Sequence, residues 1–322
     1  MRTDASTKIG SGHVMRCLTI AKNLQKHDVK VTFWMEQLAG NLIDYVLEEG
    51  FEVIGKVRKA DLFVIDHYKI GKQWEKELRN YTNKIAVIDD LANRSHDCDL
   101  ILDQNVIPNY STRYNDLIPA HCIQLLGTKY LIMRDEFIEA RMHLRQCNNK
   151  VNRLLIFMGG TDPTNETMKI LKALSYFSDS FGHIDVVVGN GNVSKEEIKQ
   201  ICLKQGYSYH CQINYMAQLM QRADFSIGAG GSTTWERCYV GLPSSSTIVA
   251  ENQSITTQYA AELGAVVNLG WHENVTTQTY VDLLLRLENN EIDLNQLSRV
   301  GLNLTENTSP NPWINEIMEL LT

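Results

Sequence analysis

Two α/β domains, each a parallel sheet flanked by helices, are the fold this sequence predicts. Apolar strand-like runs alternate with helical patterns along the chain, an alternation that reads as parallel sheets covered by helices. The pattern occurs twice, on either side of the polar stretch "RQCNNKVNR" (145–153). A chain of 322 residues suffices for two domains that each bury a core. The expected division is 1–147 and 151–308, with 309–322 as a C-terminal helical segment.

The first helix is the most legible element. Val14, Cys17, Leu18, Ala21 and Leu24 recur at spacings of three and four, which gives one apolar face. Lys22, Asn23, Gln25 and Lys26 occupy the other side. Four buried strands follow at "VKVTFW" (29–34), "DLFVID" (61–66), "KIAVID" (84–89) and "DLILD" (99–103). Four more lie in the second half, at "RLLIFM" (153–158), "IDVVVG" (184–189), "YSYHC" (207–211) and "DFSIGA" (224–229). The tail "SPNPWINEIMELL" (309–321) carries two prolines and then reads as a short amphipathic helix.

Composition narrows the function classes. Apolar content of 43% and charged content of 21% describe a globular, soluble protein. A formal charge of -7 argues against nucleic-acid binding as the main task. No run of eighteen apolar residues and no secretory signal is apparent, so neither a membrane span nor export is expected. Seven scattered cysteines, never in a CxxC pair, favour reduced thiols in a cytoplasm over disulfides or zinc. The histidines show no ligand spacing, and no metal is expected.

The stretch "RTDASTKIGSGHVMRC" (2–17) places His13 after Gly10 and Gly12, at the first turn of the first helix. Unpaired N–H groups and the positive end of the dipole face that position. A further positive charge is disfavoured there, so the ring is expected to be neutral and able to accept a proton. The flanking glycines should leave it exposed, with Asp4 on the same loop as a second catalytic candidate. The alternative is a histidine that merely caps or packs. The strand end "IDHY" (65–68) puts Asp66, His67 and Tyr68 at a sheet edge that could face His13. "DCD" (97–99) formally matches a metal-binding DxD, but it precedes a strand and reads as solvated loop.

In open parallel sheets, ligands bind beyond the carboxyl ends of the strands. Three loops of the second half qualify. "MGGTDPTN" brings Gly160, Thr161 and Asp162, which can orient a ligand or cap a helix. "GAGGSTTWERC" offers Gly230, Gly231, Ser232, Thr233 and Thr234 to a phosphate at a helix start, with Glu236 one turn later for ribose hydroxyls. "VAENQSITTQYA" brings Glu251, Asn252 and Gln253 to the same edge. Each loop alone also reads as a structural turn. None completes a dinucleotide fingerprint, and no GxxxxGK[ST] occurs.

"RTDASTKIGSGHVMRC", "IDHY", "LIMRDEF" (131–137), "MGGTD" and "ENQ" together resemble the UDP-sugar hydrolases of pseudaminic acid biosynthesis, a family that includes spore-coat polysaccharide proteins of some bacilli. More distantly, the second half is similar to the N-acetylglucosaminyltransferase of peptidoglycan synthesis. The resemblance implies two Rossmann-like domains in a glycosyltransferase B (GT-B) arrangement, the C-terminal helix packing back on the first. It implies hydrolysis of UDP-2,4-diacetamido-2,4,6-trideoxy-beta-L-altropyranose to UDP and free sugar, with inversion and without metal or other cofactor. On it the base falls on His13, the motif tyrosine on Tyr68, the substrate-contacting asparagine on Asn252 and the ribose-binding acid on Glu236. The uracil loop falls on Gln212 to Met216, with Ile213 and Met216 as contacts. Members carry several apolar residues before the RxD motif, so the strand feeding the catalytic loop is expected to be nearly absent here.

Two rival readings remain at this stage. A GT-B glycosyltransferase would use an acceptor hydroxyl in place of water, and a nucleotide-sugar-binding protein would have lost the chemistry. No apolar or basic acceptor surface is readable in the first domain, which disfavours a transferase with a lipid-linked acceptor.

Overall fold

The computed structural model describes residues 1–7, 9–147, 149–177, 180–306 and 309–321. It divides into two compact units, Met1–Met133 with Asn307–Thr322, and Arg134–Glu306.

The first unit holds a seven-stranded parallel sheet. Its strands are β1 (Arg2–Thr3), β2 (Thr32–Trp34), β3 (Glu52–Ile54), β4 (Leu62–Asp66), β5 (Lys84–Ile88), β6 (Leu100–Asp103) and β7 (Ile123–Leu126). They lie in the order β3-β2-β1-β4-β5-β6-β7. Helices α1 (Gly12–Gln25), α2 (Ile43–Glu48) and α3 (Lys72–Leu78) connect them. The five apolar residues expected to face inward from α1 are all buried. Asn23, expected on the polar side, is buried too, its amide donating to the Thr19 carbonyl at 2.9 Å. The strand expected to be nearly absent is β1, a two-residue strand between β2 and β4. Arg2 pairs with Trp34 of β2 and Ile65 of β4, and Thr3 with Asp66.

The second unit opens with α4 (Asp135–Met142) and holds a six-stranded parallel sheet. Its elements are β8 (Arg153–Phe157), α5 (Glu166–Leu174), β9 (His183–Val188), α6 (Lys195–Gln205), β10 (Ser208–Cys211), α7 (Met216–Arg222), β11 (Phe225–Ala229) and α8 (Ser232–Tyr239). There follow β12 (Ser244–Ile248), α9 (Ser254–Glu262), β13 (Val267–Trp271), α10 (Thr277–Glu288) and α11 (Leu294–Leu304). The strand order is β10-β9-β8-β11-β12-β13. Leu154, Ile156, Val186, Val188, Phe225 and Ile227 fill its core with apolar faces of α5 and α10.

The structure divides the chain earlier than 147, because α4 packs into the second unit. Glu136 accepts a hydrogen bond from the Ala217 N–H at 3.0 Å, and Arg141 donates to the Tyr239 carbonyl at 2.6 Å. The second crossing follows Glu306, close to the expected 308. The C-terminal helix α12 (Trp313–Leu321) packs in the first unit, where Trp313 is fully buried and donates to the Leu131 carbonyl at 3.2 Å. Asn311 seals this junction, its side chain bonding both the N–H and the carbonyl of Met133 at 2.9 Å. Among the described residues, no helix is long and apolar enough to cross a membrane.

Candidate functional site

Each sheet reverses its winding at one place, and loops leaving the two strands there part to opposite sides, opening a crevice at the carboxyl edge. In the first unit the reversal lies between β1 and β4. His13 enters α1 after the β1 loop, and Asp66 is the last residue of β4. The two meet, with His13 Nδ1 2.6 Å from Asp66 Oδ1. The pairing anticipated from "IDHY" is therefore present, and it makes Asp66 the partner of His13.

Arg16, one turn along α1, holds the same carboxylate through Nε at 2.8 Å and a terminal nitrogen at 2.7 Å. Burial pushes the Asp66 carboxyl up, but the charges and hydrogen bonds of Arg16 and His13 outweigh it and hold the group well below the usual carboxylate range. An ionised Asp66 accepts a proton bond from Nδ1, which leaves the lone pair of His13 on Nε2. Tyr68 packs edge-on against the imidazole at 4.4 Å between centroids, its hydroxyl donating to Asp90 at 3.3 Å. Burial first, and then the Asp90 charge, raise its phenol above the ordinary value, so it stays protonated.

Three expectations are corrected here. The ring is not exposed: His13 is 7% accessible, because Tyr68, Asp66 and Arg16 enclose it more than the neighbouring glycines open it. Nε2 has no hydrogen-bond partner among the described residues. Asp4 is not brought to the imidazole. Its carboxylate takes Arg2 at 2.7 Å, the Glu36 N–H at 2.8 Å and His67 Nε2 at 3.4 Å, which anchors the loop. "DCD" is likewise no solvated loop, since Arg79 spans Asp97 and Asp99 at 3.0 and 2.7 Å. Gly12 begins α1 with open space where a Cβ would stand.

The ends of β5 and β6 add a second buried cluster of Asp89, Asp103 and Tyr114. Burial pushes the Asp103 carboxyl up to about 7, against the opposing charge of Arg113 at 2.8 Å. An unfolded aspartate titrates near about 3.9, so the folded chain holds this proton more tightly. Its contribution to stability is full below that value and is lost as pH rises through about 7. Urea unfolding between pH 5 and 8 should therefore show stability falling with pH, and Asp103→Asn should flatten part of that slope. A slope unchanged by the substitution would contradict this.

In the second unit the reversal lies between β8 and β11. The loops carrying Gly160 and Thr161, and Gly230 and Gly231, leave the two strands there. Asp162 takes the capping role, accepting the N–H groups of Glu166 and Thr167 at 2.9 and 3.0 Å. Gly231 caps α8 at φ 91°, a left-handed conformation that suits glycine. Ser232 is exposed and Thr233 half-buried at the start of that helix. The "ENQ" loop lies alongside, where a Cβ on Gly230 would stand 3.1 Å from Gln253 Oε1. Gln253 itself accepts the Val249 N–H at 3.0 Å, while Asn252 is exposed. Glu236 is half-buried and accepts from Arg134 of "LIMRDEF" at 3.1 Å. Ile213 is half-buried in the β10–α7 loop, and Met216 is buried at the start of α7.

Arg237 was not anticipated. It is fully buried under α8 with no carboxylate in ion-pair range among the described residues, and it donates to the Ala229 carbonyl at 3.0 Å and Ser246 at 2.8 Å. Loss of hydration drags its pKa down to about 10, so the cation persists directly behind the glycine loop. Among the described residues, no group of three or more His, Cys, Asp and Glu side chains is placed to hold a metal ion, and all seven cysteines are free.

Solved structures match this architecture along nearly the whole chain. UDP-bound MnaA of S. aureus has a TM-score of 0.61 at 11% identity, covering 96% of this chain and 93% of its own. MurG of Acinetobacter baumannii gives 0.56 at 14%, covering 97% and 96%. The fold is that of the GT-B glycosyltransferases. No family model matches this GT-B chain. It is 27% identical over 275 residues to the UDP-2,4-diacetamido-2,4,6-trideoxy-beta-L-altropyranose hydrolase of Campylobacter jejuni, spanning 82% of this chain and 96% of that protein. It is 25% identical to the spore coat polysaccharide biosynthesis protein SpsG of Bacillus subtilis, over 88% and 87% of the two chains. An uncharacterized protein of Methanocaldococcus jannaschii is 28% identical over 75% of this chain, which spans about half, 53%, of that longer relative.

Proposed function

We propose that this chain processes UDP-sugars, and specifically that it hydrolyses UDP-2,4-diacetamido-2,4,6-trideoxy-beta-L-altropyranose at the anomeric C–O bond. The observation that carries the reading is the His13–Asp66 pair at the reversal of the first sheet. The similarity to the Campylobacter jejuni hydrolase supports the choice of sugar.

In this mechanism Asp66 fixes the imidazole through Nδ1, and Nε2 takes a proton from an attacking water. The new bond forms from water oxygen to the anomeric carbon as the bond to the diphosphate oxygen breaks, giving inversion through an oxocarbenium-like state. UDP leaves with the electron pair. The start of α8, with the Gly231 and Ser232 backbone and the Thr233 hydroxyl, receives the developing charge, and Arg237 lies behind it. Glu236 accepts from the ribose hydroxyls, Met216 and Ile213 border the base, and Asn252, Gln253, Gly160 and Thr161 line the sugar. Tyr68 braces the imidazole. Gly12 leaves room beside it, and Asp4 holds the loop.

The purified protein should release UDP from the diacetamido substrate in buffer alone, and far more slowly from UDP-N-acetylglucosamine. Release only when an acceptor sugar is added would favour a glycosyltransferase. UDP-sugar binding without release under either condition would leave a binding protein.

A further inference from the structure

A parallel sheet covered on both sides is normally apolar on both faces. The outer strands of the second sheet break this rule. Strand alternation and pairing put Arg153 of β8, His183 and Asp185 of β9, and Ser208 and His210 of β10 on one face. With Tyr215 and Arg222 from either end of α7 they line a cavity of about 410 Å³. The opposite face of β9 supplies Ile184, Val186 and Val188 to the core, so the polar set is confined to one side.

Its charges do not balance internally. Asp185 is buried and already shared by both histidines, with His183 Nε2 at 3.2 Å and His210 Nε2 at 2.9 Å. That arrangement commits the Nε2 protons to the carboxylate. His210 Nδ1 meets the Tyr215 hydroxyl at 3.1 Å. Among the described residues neither the Arg153 nor the Arg222 guanidinium has a hydrogen-bond or ion-pair partner, although both face the cavity. Two cations against one spent anion leave a positive pocket in a chain of net charge -7. Guanidinium forks match tetrahedral oxyanions.

We infer that this pocket binds a phosphate-class oxyanion on the polar face of β8, β9 and β10, beside the loop that carries Tyr215. The chemistry fits either free phosphate or the phosphate of a nucleotide, and occupancy in the presence of UDP tells them apart. The full-length protein is titrated with inorganic phosphate by calorimetry at low ionic strength, with and without saturating UDP. One saturable phosphate site, retained with UDP bound, is the expected result. The double variant Arg153→Gln with Arg222→Gln should weaken it by about tenfold or more. Arg222 is exposed and its guanidinium has no partner among the described residues, so Arg222→Gln alone keeps the fold and should weaken binding by about threefold without changing UDP affinity. Absence of saturable binding, or wild-type affinity in the double variant, would overturn the inference. Competitive displacement of phosphate by UDP would overturn it too, by assigning the pocket to the nucleotide. Because no turnover is measured, the result is independent of which sugar the chain cleaves.

Discussion

His13→Asn is expected to lower turnover of the diacetamido UDP-sugar by about 10²–10⁴-fold, the usual contribution of a positioned general base. Asparagine can keep a donor on Asp66, which holds His13 Nδ1 at 2.6 Å, but it offers no basic nitrogen to water. The loss should therefore fall on kcat. UDP affinity should stay at the wild-type value, since the groups assigned to UDP lie after β10 and β11, in the second unit. Steady-state kinetics beside a UDP titration separates the two effects, and a thermal melt confirms that the buried substitution is tolerated. A folded variant with full turnover would remove His13 from the mechanism.

Glu236→Ala should show the reverse pattern. The carboxylate is half-buried at the end of the first turn of α8 and is oriented by Arg134 at 3.1 Å. Hydrogen bonds to a charged group are worth about 1.5–3 kcal/mol, and that converts to about 10- to 150-fold in affinity. UDP binding should weaken by that factor, while turnover at saturating substrate changes far less. Unchanged UDP affinity would mean that Glu236 only anchors Arg134 and that the ribose is held elsewhere.

Much of the framework was legible because buried parallel strands are apolar runs. "LFVID", "KIAVI", "RLLIF" and "HIDVVV" became β4, β5, β8 and β9 with shifts of about a residue. The inward face of α1 was legible for the same reason. Strand β12 was legible only at its apolar end, before "VAENQ", since its "SSSTI" is fully buried yet mostly hydroxylated. The same polar interior hides Arg237, which bonds Ser246 of that strand. The unit boundary was misread because a polar stretch suggested a linker, whereas α4, just ahead of it, is tied to the second unit by Glu136 and Arg141. At the candidate site the sequence placed His13 at a helix start and suggested that "IDHY" faces it. It did not reveal that Tyr68 and Arg16 would bury the ring, because side chains converging from α1 and the end of β4 decide that.

The central claim is that a water activated at His13 attacks carbon. It is tested most directly by letting the protein turn over the diacetamido UDP-sugar in ¹⁸O-water and locating the label by mass spectrometry. The heavy oxygen should appear on the anomeric carbon of the released sugar, with UDP unlabelled. Label on the phosphate would show attack at phosphorus and would contradict the account.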